Sequence, residues 1–319
     1  MTEKISIRRA GTIPPWGRAL MCAVVMTALS ACAGPATRQQ SFGGAAAAVD
    51  ALVAAARADS SDAIVAVLGP DGNDLANSGD PVADKAARDH FVAYYDKAHA
   101  LQMDGDDKAI LVIGDKRWPF PIPVIRRGSA WQFDTAAGRQ EILDRRIGRN
   151  ELNAIKVCRA IVDAQRDFVD RVRASDGVVE YAQKFISSPG LRDGLYWPVE
   201  AGETESPIGP LLARARAEGY GEDDGYGAGD PYHGYYYRML MGQGLNAPDG
   251  AYDYLAEGHM IGGFALVAFP AGYGTSGIMT FIVNQDGVVY QKNLGPGTVD
   301  AARAMESFDP DSSWSKVPD

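Results

Sequence analysis

Histidine and tyrosine are concentrated in one short stretch of the chain, PYHGYYYRMLMGQG at residues 231–244. A histidine can move protons or bind a metal near neutral pH, and tyrosine rings pack against a ligand while their hydroxyls bond to it. The stretch therefore has three interpretations: a catalytic site, an aromatic ligand platform, or a half-buried β-strand. From Tyr235 to Leu240 aromatic and long side chains alternate with period two, which favours the strand.

A ligand surface remains a candidate, because the same region combines aromatic rings with imidazoles. Two places for such a surface are open: the surface around His233 and Tyr235, or a cone in the first half lined by Trp118, Tyr94 and Tyr95. The candidate ligand-binding residues are His233, Tyr235, Tyr236, Tyr237, His259 and Trp118.

The chain has no complete catalytic or nucleotide-binding motif. His90 and His99 do not have the i,i+4 spacing of a zinc-binding helix, and His233 and His259 lack a third ligand. Ser276, in GYGTSGIM, lacks the G-x-S-x-G elbow, so we expect a turn there. No G-x-G-x-x-G opens a helix after a strand, and no G-x-x-x-x-G-K-[ST] is present. We therefore predict no catalytic residues, no cofactor and no nucleotide.

Two acidic runs contain the oxygen ligands that calcium prefers, one in MDGDDK and one in a glycine-rich loop. The first lacks the glutamate that would close a twelve-residue calcium loop. We expect solvated turns at both places, and the weak metal candidates are Asp104, Asp106, Asp107, Glu222, Asp223 and Asp224.

The N-terminus has the pattern of an export signal. Basic residues up to Arg18 precede the apolar run ALMCAVVMTAL, and Ser30, Ala31 and Cys32 follow it. LSAC resembles the lipobox of bacterial lipoproteins, in which the cysteine becomes the first residue and carries lipid such as palmitate. We therefore predict lipidation at Cys32 and an anchor in the membrane; a plain signal peptide and a short membrane anchor are the alternatives. Ala33, where an inner-membrane retention signal usually has Asp, favours the outer membrane.

Cysteine usage and charge narrow the function classes further. Of the three cysteines, one leaves with the signal and one takes lipid, so only Cys158 remains and no internal disulfide is expected. Cys158 lies on the apolar face of a predicted helix, which indicates a buried, inert thiol. A net charge of −10 argues against nucleic acid as a partner.

Helical and strand patterns divide the chain into two halves. Helices are predicted from Ala45, from Ser60 or Ser61 to Gly69, and from about Val82 to Gln102. Strands follow at KAILVIG, WPFPIPVIRRG and AWQFDT; in the second of these, proline at every other position predicts a sheet edge.

The second half begins with a helical pattern and continues as β-structure. A short helix ending at Gly148 and a long helix capped by Asn150 are predicted first. A loop-rich region with a short helix at GPLLARARAEG follows. The strands YYYRMLM and GGFALVAFPAGYG come next, and NQDG predicts a hairpin between TFIV and VVYQK. The resulting division is a signal (1–31), a tether (32–44), a first subdomain (45–148) and a second subdomain (149–319).

Three long segments resemble a known family: WPFPIPVIRRGSAWQFDTAAGRQEILDRRIGRNELNAI, PYHGYYYRMLMGQGLNAP, and GGFALVAFPAGYGTSGIMTFIVNQDGVVYQKNLG. They are similar to the bacterial family catalogued as domain of unknown function 2950 (DUF2950), from about residue 45 to the end. The resemblance implies exported lipoproteins and gives no activity, so it assigns no catalytic residue.

At the level of fold, the first half resembles the cystatin-like arrangement of nuclear transport factor 2, and the second half resembles the globular part of type IV pilins. The second half lacks the processed hydrophobic helix through which pilins assemble. Fold alone gives no function. We expect an α+β, lipid-anchored, periplasm-facing envelope protein without catalytic activity that binds an envelope protein partner. The alternative is a small-ligand-binding or hydrolytic periplasmic module.

Overall fold

The computed structural model describes residues 38–172, 177–200, 202–220 and 230–318. The predicted signal at residues 1–31, the predicted lipidation site Cys32 and the acidic residues Glu222, Asp223 and Asp224 lie outside the described residues.

The first half packs helices on an antiparallel sheet. Its helices are α1 (Ala45–Arg57), α2 (Ser61–Leu68), α3 (Asn73–Ala76) and α4 (Pro81–Lys97). Its strands are β1 (His99–Met103), β2 (Lys108–Ile113), β3 (Trp118–Pro119), β4 (Val124–Arg127) and β5 (Ala130–Phe133). The strand order is β1-β2-β4-β5, with β3 also paired to β2. A core of apolar side chains from α1, α2 and the sheet fills the space between the two layers.

The cap at Ser60 and the stop at Gly69 are confirmed, and α4 has a cap that was not predicted. The hydroxyl of Ser60 accepts a hydrogen bond of 3.2 Å from the backbone N–H of Ala63, and Gly69 ends α2 with a φ of 84°, a conformation that favours glycine. Asp80 caps α4 by accepting from Ala83, and proline occupies the first helical turn. The folded part starts before residue 45, because Phe42 pairs with Trp131 of β5.

The third helix was predicted to reach Gln102, and this prediction is wrong. α4 ends at Lys97, and β1 begins at His99, which pairs with Ile113 of β2. The backbone carbonyls of Tyr94 and Ala98 both accept from Gly114, which fixes the change from helix to strand. Cross-strand bonding outweighs the helical pattern here, since helix propensity is a weak preference.

The proline-containing strand is interrupted rather than continuous. β3 and β4 pair with different parts of β2, and residues 120–123 lie between them outside any strand. Pro121 and Pro123 fall in this interruption, so their missing N–H groups remove no ladder bond. The edge prediction holds for β3, which pairs only with β2, but not for β4, which lies between β2 and β5.

One 37-residue helix, α5 (Thr135–Arg171), replaces the two helices predicted around Gly148. Asn150 does not act as a cap: it is buried, and its amide Nδ2 donates to the backbone carbonyl of Ser276 at 2.9 Å. Glu151 accepts from the backbone N–H groups of Ile278 and Met279. These tertiary contacts explain why the helix continues through a glycine, whose cost inside a helix is only about 1 kcal/mol.

The second half is a five-stranded antiparallel sheet with helices on both faces. After α6 (Gly209–Ala217) come the strands β6 (Tyr235–Leu240), β7 (Gly242–Gln243), β8 (Tyr252–Asp253), β9 (Leu255–Ala256), β10 (His259–Met260), β11 (Ala265–Pro270), β12 (Met279–Asn284) and β13 (Tyr290–Asn293). The chain ends with α7 (Thr298–Ala304), β14 (Ser307–Phe308) and β15 (Ser315–Lys316). The order of the main sheet is β15-β13-β12-β11-β6, which puts β6 at an edge. The predicted β12–β13 hairpin is confirmed.

The two faces of this sheet carry different helices. Met239 of β6 lies against Gln165 of α5, with 4.0 Å between its sulfur and the amide nitrogen. The preceding residue of the strand points the other way: Arg238 donates to the backbone carbonyls of Ala302 and Met305 at the end of α7. The described residues therefore form an α+β fold with two apolar cores, as predicted. The likeness to cystatin-like proteins and pilins stays a prediction.

A single helix crosses the predicted subdomain boundary, since residues 148 and 149 both lie within α5. The described residues belong to one compact unit. None of the helices in the described part is long and apolar enough to cross a membrane.

Two glycines of α5 provide a matched test of this packing. A Cβ at Gly138 would lie 2.3 Å from the backbone oxygen of Pro121, whereas a Cβ at Gly148 would meet nothing within 4 Å. We expect Gly138→Ala to lower the free energy of unfolding by about 2 kcal/mol, because backbone must move. Gly148→Ala should raise it by about 0.5–1 kcal/mol, because alanine favours helix. Urea denaturation followed by circular dichroism measures both; a destabilised Gly148→Ala would contradict a continuous α5.

Candidate functional site

A large hollow lies beside the edge strand β6. Its volume is about 660 Å³. Its walls are β6, the two helices α5 and α6, and an irregular segment at residues 183–186. Carbon atoms make up most of the lining, with aromatic rings and methionine side chains prominent. The cavity lies here because β6 is an edge strand, and no further strand covers its outer side in the described residues.

Two of the three tyrosines of β6 face this cavity. Tyr236 and Tyr237 are half-buried and line it. Tyr235 is fully buried; its hydroxyl donates to the carbonyl of Met279 at 3.0 Å, and burial raises its pKa above the ordinary value. A Cβ at Gly277 would lie 2.1 Å from that hydroxyl, so the phenol fills its space completely. Tyr235 is therefore a core residue, whereas Tyr236 and Tyr237 form part of the cavity wall.

A polar corner at the start of β6 holds His233. The φ of His233 is 52°, a left-handed conformation that turns the chain into the strand. Its Nε2 lies 3.2 Å from a carboxylate oxygen of Glu218. Burial lowers the pKa of His233, while the charges of Glu218 and Asp80 raise it. Because burial is the largest contribution, the neutral imidazole is favoured.

The buried carboxylate of Asp80 organises this corner. Its side-chain oxygens accept from the Tyr220 hydroxyl at 2.9 Å, from Gly234 N–H at 2.7 Å and from Ala83 N–H at 3.0 Å. Asp80 is 1% exposed, and a buried carboxylate is stable only with such donors. The corner thus joins the start of α4, the chain after α6 and the turn before β6.

The structure does not bring the six predicted ligand residues together. Tyr236 and Tyr237 line the cavity, and His233 lies at the polar corner. His259 is on β10, where its Nδ1 lies 3.2 Å from Glu180. Trp118 is in the first sheet, packed edge-on against the ring of Phe120. The spacing of these residues in the sequence does not show that they are apart in space, because strands that pair in a sheet need not be adjacent in the chain.

The cone predicted in the first half is filled by its own apolar core. A smaller hollow of about 500 Å³ lies at α1 and includes Tyr95, Asp50 and Arg57, but neither Trp118 nor Tyr94 lines it. Tyr94 is exposed on α4. The first-half alternative for a ligand site therefore lacks its predicted lining.

The acidic run in the first half forms the tight turn between β1 and β2. Asp104 pairs with Lys108 at 2.9 Å, and Asp107 pairs with Arg126; Asp106 is exposed. Among the described residues, no group of three or more histidine, cysteine or acidic side chains could hold a metal ion. A solvated turn fits this run better than a calcium site.

The two potential nucleophiles are occupied or suppressed. The hydroxyl of Ser276 is buried and bonded to both the N–H and the carbonyl of Gly272. Cys158 is fully buried, and burial raises the pKa of its thiol to about 12. A thiol with this pKa is almost wholly protonated at neutral pH, and the thiolate is the reactive form.

Sequence reasoning missed most of the cavity wall. Ile208 at the N-cap of α6, Leu212 of α6, Phe185 and Arg303 of α7 all line it. The paired leucines of the short helix α6 are a sequence signal among them. Phe185 lies in an irregular segment and Arg303 on a short helix at the end of the chain, so their convergence follows from the tertiary structure alone.

The histidine of the polar corner should make stability depend on pH. As pH falls, His233 is protonated at a higher pH in the unfolded chain than in the folded protein, because its folded pKa is lowered. The stability present above the ordinary histidine pKa, about 6.5, is therefore lost as pH falls through the folded pKa. We expect His233→Asn, which tolerates the positive φ, to lose less stability than the wild type between pH 7 and pH 5. His90→Asn, on the exposed face of α4, serves as the control. Equal pH slopes of urea midpoints for wild type and His233→Asn would contradict this role.

Comparison with known proteins adds the family but no activity. No curated protein matches the chain, and no solved structure matches it. A family model described as a protein of unknown function (DUF2950) matches residues 39–317. The match covers both sheets, α5 and the cavity, so the chain belongs to the DUF2950 family.

Proposed function

We propose that this chain is a non-catalytic binding protein of the cell envelope that holds an apolar small molecule in the cavity beside β6. The observation that carries the proposal is the cavity itself, about 660 Å³ with mainly apolar walls. Small-molecule sites commonly enclose about 300–1,000 Å³ and are lined mostly by apolar and aromatic groups. Of the two functions considered from the sequence, the geometry favours the ligand-binding one.

The composition of the walls indicates what drives binding. Apolar area removed from water contributes about 25 cal/mol per Å², and the walls offer such area on several sides at once. Aromatic rings add geometric preferences, and the methionines Met239 and Met241 adapt to ligands of irregular shape. A guest with a large apolar part is therefore preferred over a sugar or another strongly hydrated molecule.

A binding role without catalysis is supported by the state of the reactive groups in the described part. Ser276 and Cys158 lie in the core, and the ring of His233 faces Glu218 rather than a bound hydroxyl or thiol. A general base needs such a partner within hydrogen-bond reach.

The location in the envelope is supported by the N-terminal sequence. A basic start, an apolar run and the LSAC sequence ending at Cys32 are typical of an exported, lipid-modified chain. An anchor of this kind would keep the binding domain at a membrane surface facing the periplasm, with the outer membrane favoured by Ala33.

An uncharged fluorescent probe tests the cavity directly. We expect N-phenyl-1-naphthylamine to bind saturably, with one site per chain and with a rise in melting temperature. Ala215, buried on α6, lines the cavity, whereas Ala213 of the same helix is exposed. Ala215→Trp should weaken binding by about tenfold or more, because the indole occupies the space, and Ala213→Trp should leave it unchanged.

Circular dichroism melts of both variants show whether they are folded. The proposal is wrong if the wild type shows no saturable binding of uncharged apolar probes, or if a folded Ala215→Trp binds as well as the Ala213→Trp control.

Binding of an envelope protein is a second candidate, supported by the small β9–β10 hairpin. Leu255 and Ile261 at this hairpin are 37% and 50% exposed, and Leu245 nearby in sequence is 83% exposed. Exposed apolar groups that lie close together are typical of interaction surfaces.

This second candidate predicts a loss of partner on removal of the apolar side chains. In quantitative pull-downs from solubilised envelopes, a protein retained by the wild type should be lost from the double variant Leu255→Ser and Ile261→Ser. Leu191→Ser, at another exposed leucine, is the control. Identical sets of retained proteins would remove the hairpin as a docking surface.

A further inference from the structure

The lining of the cavity beside β6 is not uniformly apolar. The cavity extends around the edge of the sheet, so side chains from both faces of β6 line it. Tyr237 and Met239 belong to the α5 side, whereas Tyr236 and Arg238 belong to the α7 side, since adjacent strand residues point in opposite directions. All four line the same hollow. One region of the cavity therefore faces apolar helix surface, and another faces the end of α7.

The apolar region is built by the helices. Val157 and Ile161 of α5 line this region together with Ile208, which precedes α6, and Leu212 of α6, and all four are buried. These side chains offer no hydrogen-bonding group, so a ligand part that reaches them must itself be apolar to avoid the cost of an unpaired polar atom.

The other region carries positive charge. Arg238 donates to the carbonyls of Ala302 and Met305, which holds its guanidinium at the end of α7. Arg303 follows Ala302 directly and is exposed on the same helix. Both arginines line the cavity, so two guanidinium groups come from neighbouring positions at one region of it.

The charge balance of the lining differs from that of the chain. Three cationic side chains and one carboxylate line the cavity: Lys184, Arg238, Arg303 and Asp230. Lys184 is paired with Asp193 at 2.7 Å, and the carboxylate of Glu306 is close enough to Arg238 to favour its charge. For Arg303 the described residues contain no ion-pair partner. The chain as a whole has a net charge of −10, so a cationic lining is a local exception to it.

Arg303 is the guanidinium of the lining with unused donors. The Nη groups of Arg238 already donate to backbone carbonyls, and its Nε is buried away from the open cavity. A guanidinium has five N–H donors, and the side chain of Arg303 has no hydrogen bond or ion pair to other described residues, so its donors can bind an anion.

From this juxtaposition we propose that the cavity binds an anionic amphiphile, with its acyl or similar apolar chain against α5 and α6 and its acidic head group beside Arg303 and Arg238. The inference rests on the proposed ligand-binding function and names its ligand class. A carboxylate and a phosphate share the chemistry that a guanidinium recognises. A free fatty acid and an acidic phospholipid are therefore both members of the class.

Competition against the bound uncharged probe tests the class. Sodium dodecanoate, kept below its micelle concentration, should displace the probe at about one tenth of the concentration needed for dodecanol, because a charged hydrogen bond is added. Dodecylamine should be weaker than both. Decanoate should bind roughly tenfold more weakly than dodecanoate, at about 0.8 kcal/mol for each methylene. A lysophosphatidic acid with the same chain distinguishes a phosphate head group from a carboxylate.

Variants assign the head group to its arginine. Arg303→Gln should weaken dodecanoate by about fivefold, the size of a partly exposed ion pair, and leave dodecanol unchanged. Arg57→Gln on α1, away from the cavity, should change neither. Because Arg238 also binds the end of α7, Arg238→Gln is used only if its melting curve remains cooperative.

The outcomes separate the two proposals. Saturable probe binding with equal affinity for dodecanoate and dodecanol would overturn the anionic class and leave the ligand-binding function intact. An Arg303→Gln variant that weakens both ligands equally would also overturn it. Failure of every amphiphile and of the uncharged probe would instead remove the ligand-binding function.

Discussion

The buried carboxylate of Asp80 is the interaction on which the arrangement of the site depends. It caps α4, accepts the hydroxyl of Tyr220 after α6, and accepts the N–H of Gly234 at the turn before β6. A carboxylate with 1% exposure must keep these donors, since the desolvation cost of an unpaired charge is several kcal/mol. The end of α6 and the start of β6 are therefore held at a fixed separation, and the cavity lies between these two elements.

The long helix α5 connects the two halves of the fold. Asn150 and Glu151 lie near its middle and bind the backbone just before and at the start of β12. Residues N-terminal to this point pack towards the first half, and those C-terminal to it form the second core. The helix α5 thus holds one face of the sheet of the second half, and the contacts of Arg238 with the end of α7 hold the other face. The edge strand β6 is held on both faces, but among the described residues no further strand covers its outer side. This leaves the cavity in which the proposed ligand lies.

Much of the fold was predictable from local pattern. The caps at Ser60 and Asp80, the strand at β6 and the β12–β13 hairpin follow from short-range rules that the surroundings do not override. The errors have a common cause. His99 was assigned to a helix and Gly148 to a helix end, but pairing with β2 extends the sheet in the first case, and packing against β12 continues the helix in the second. In both cases a long-range contact outweighs a local preference of about 1 kcal/mol or less.

The candidate site was less predictable than the fold. The tyrosine stretch was correctly predicted to contain a strand, but burial does not follow its alternation: Tyr237 shares a face with buried Tyr235 and is half-buried like Tyr236. Tyr235, His259 and Trp118 were named as ligand candidates and do not line the cavity, whereas Phe185, Leu212 and Arg303 line it and were not identified. By itself, the sequence determined the α+β class, the family, the position of most strands and the inertness expected of Cys158. The tertiary structure alone decided where the cavity lies and which charges face it, because its walls come from residues up to 146 positions apart, from Val157 to Arg303, and no local pattern encodes such a convergence.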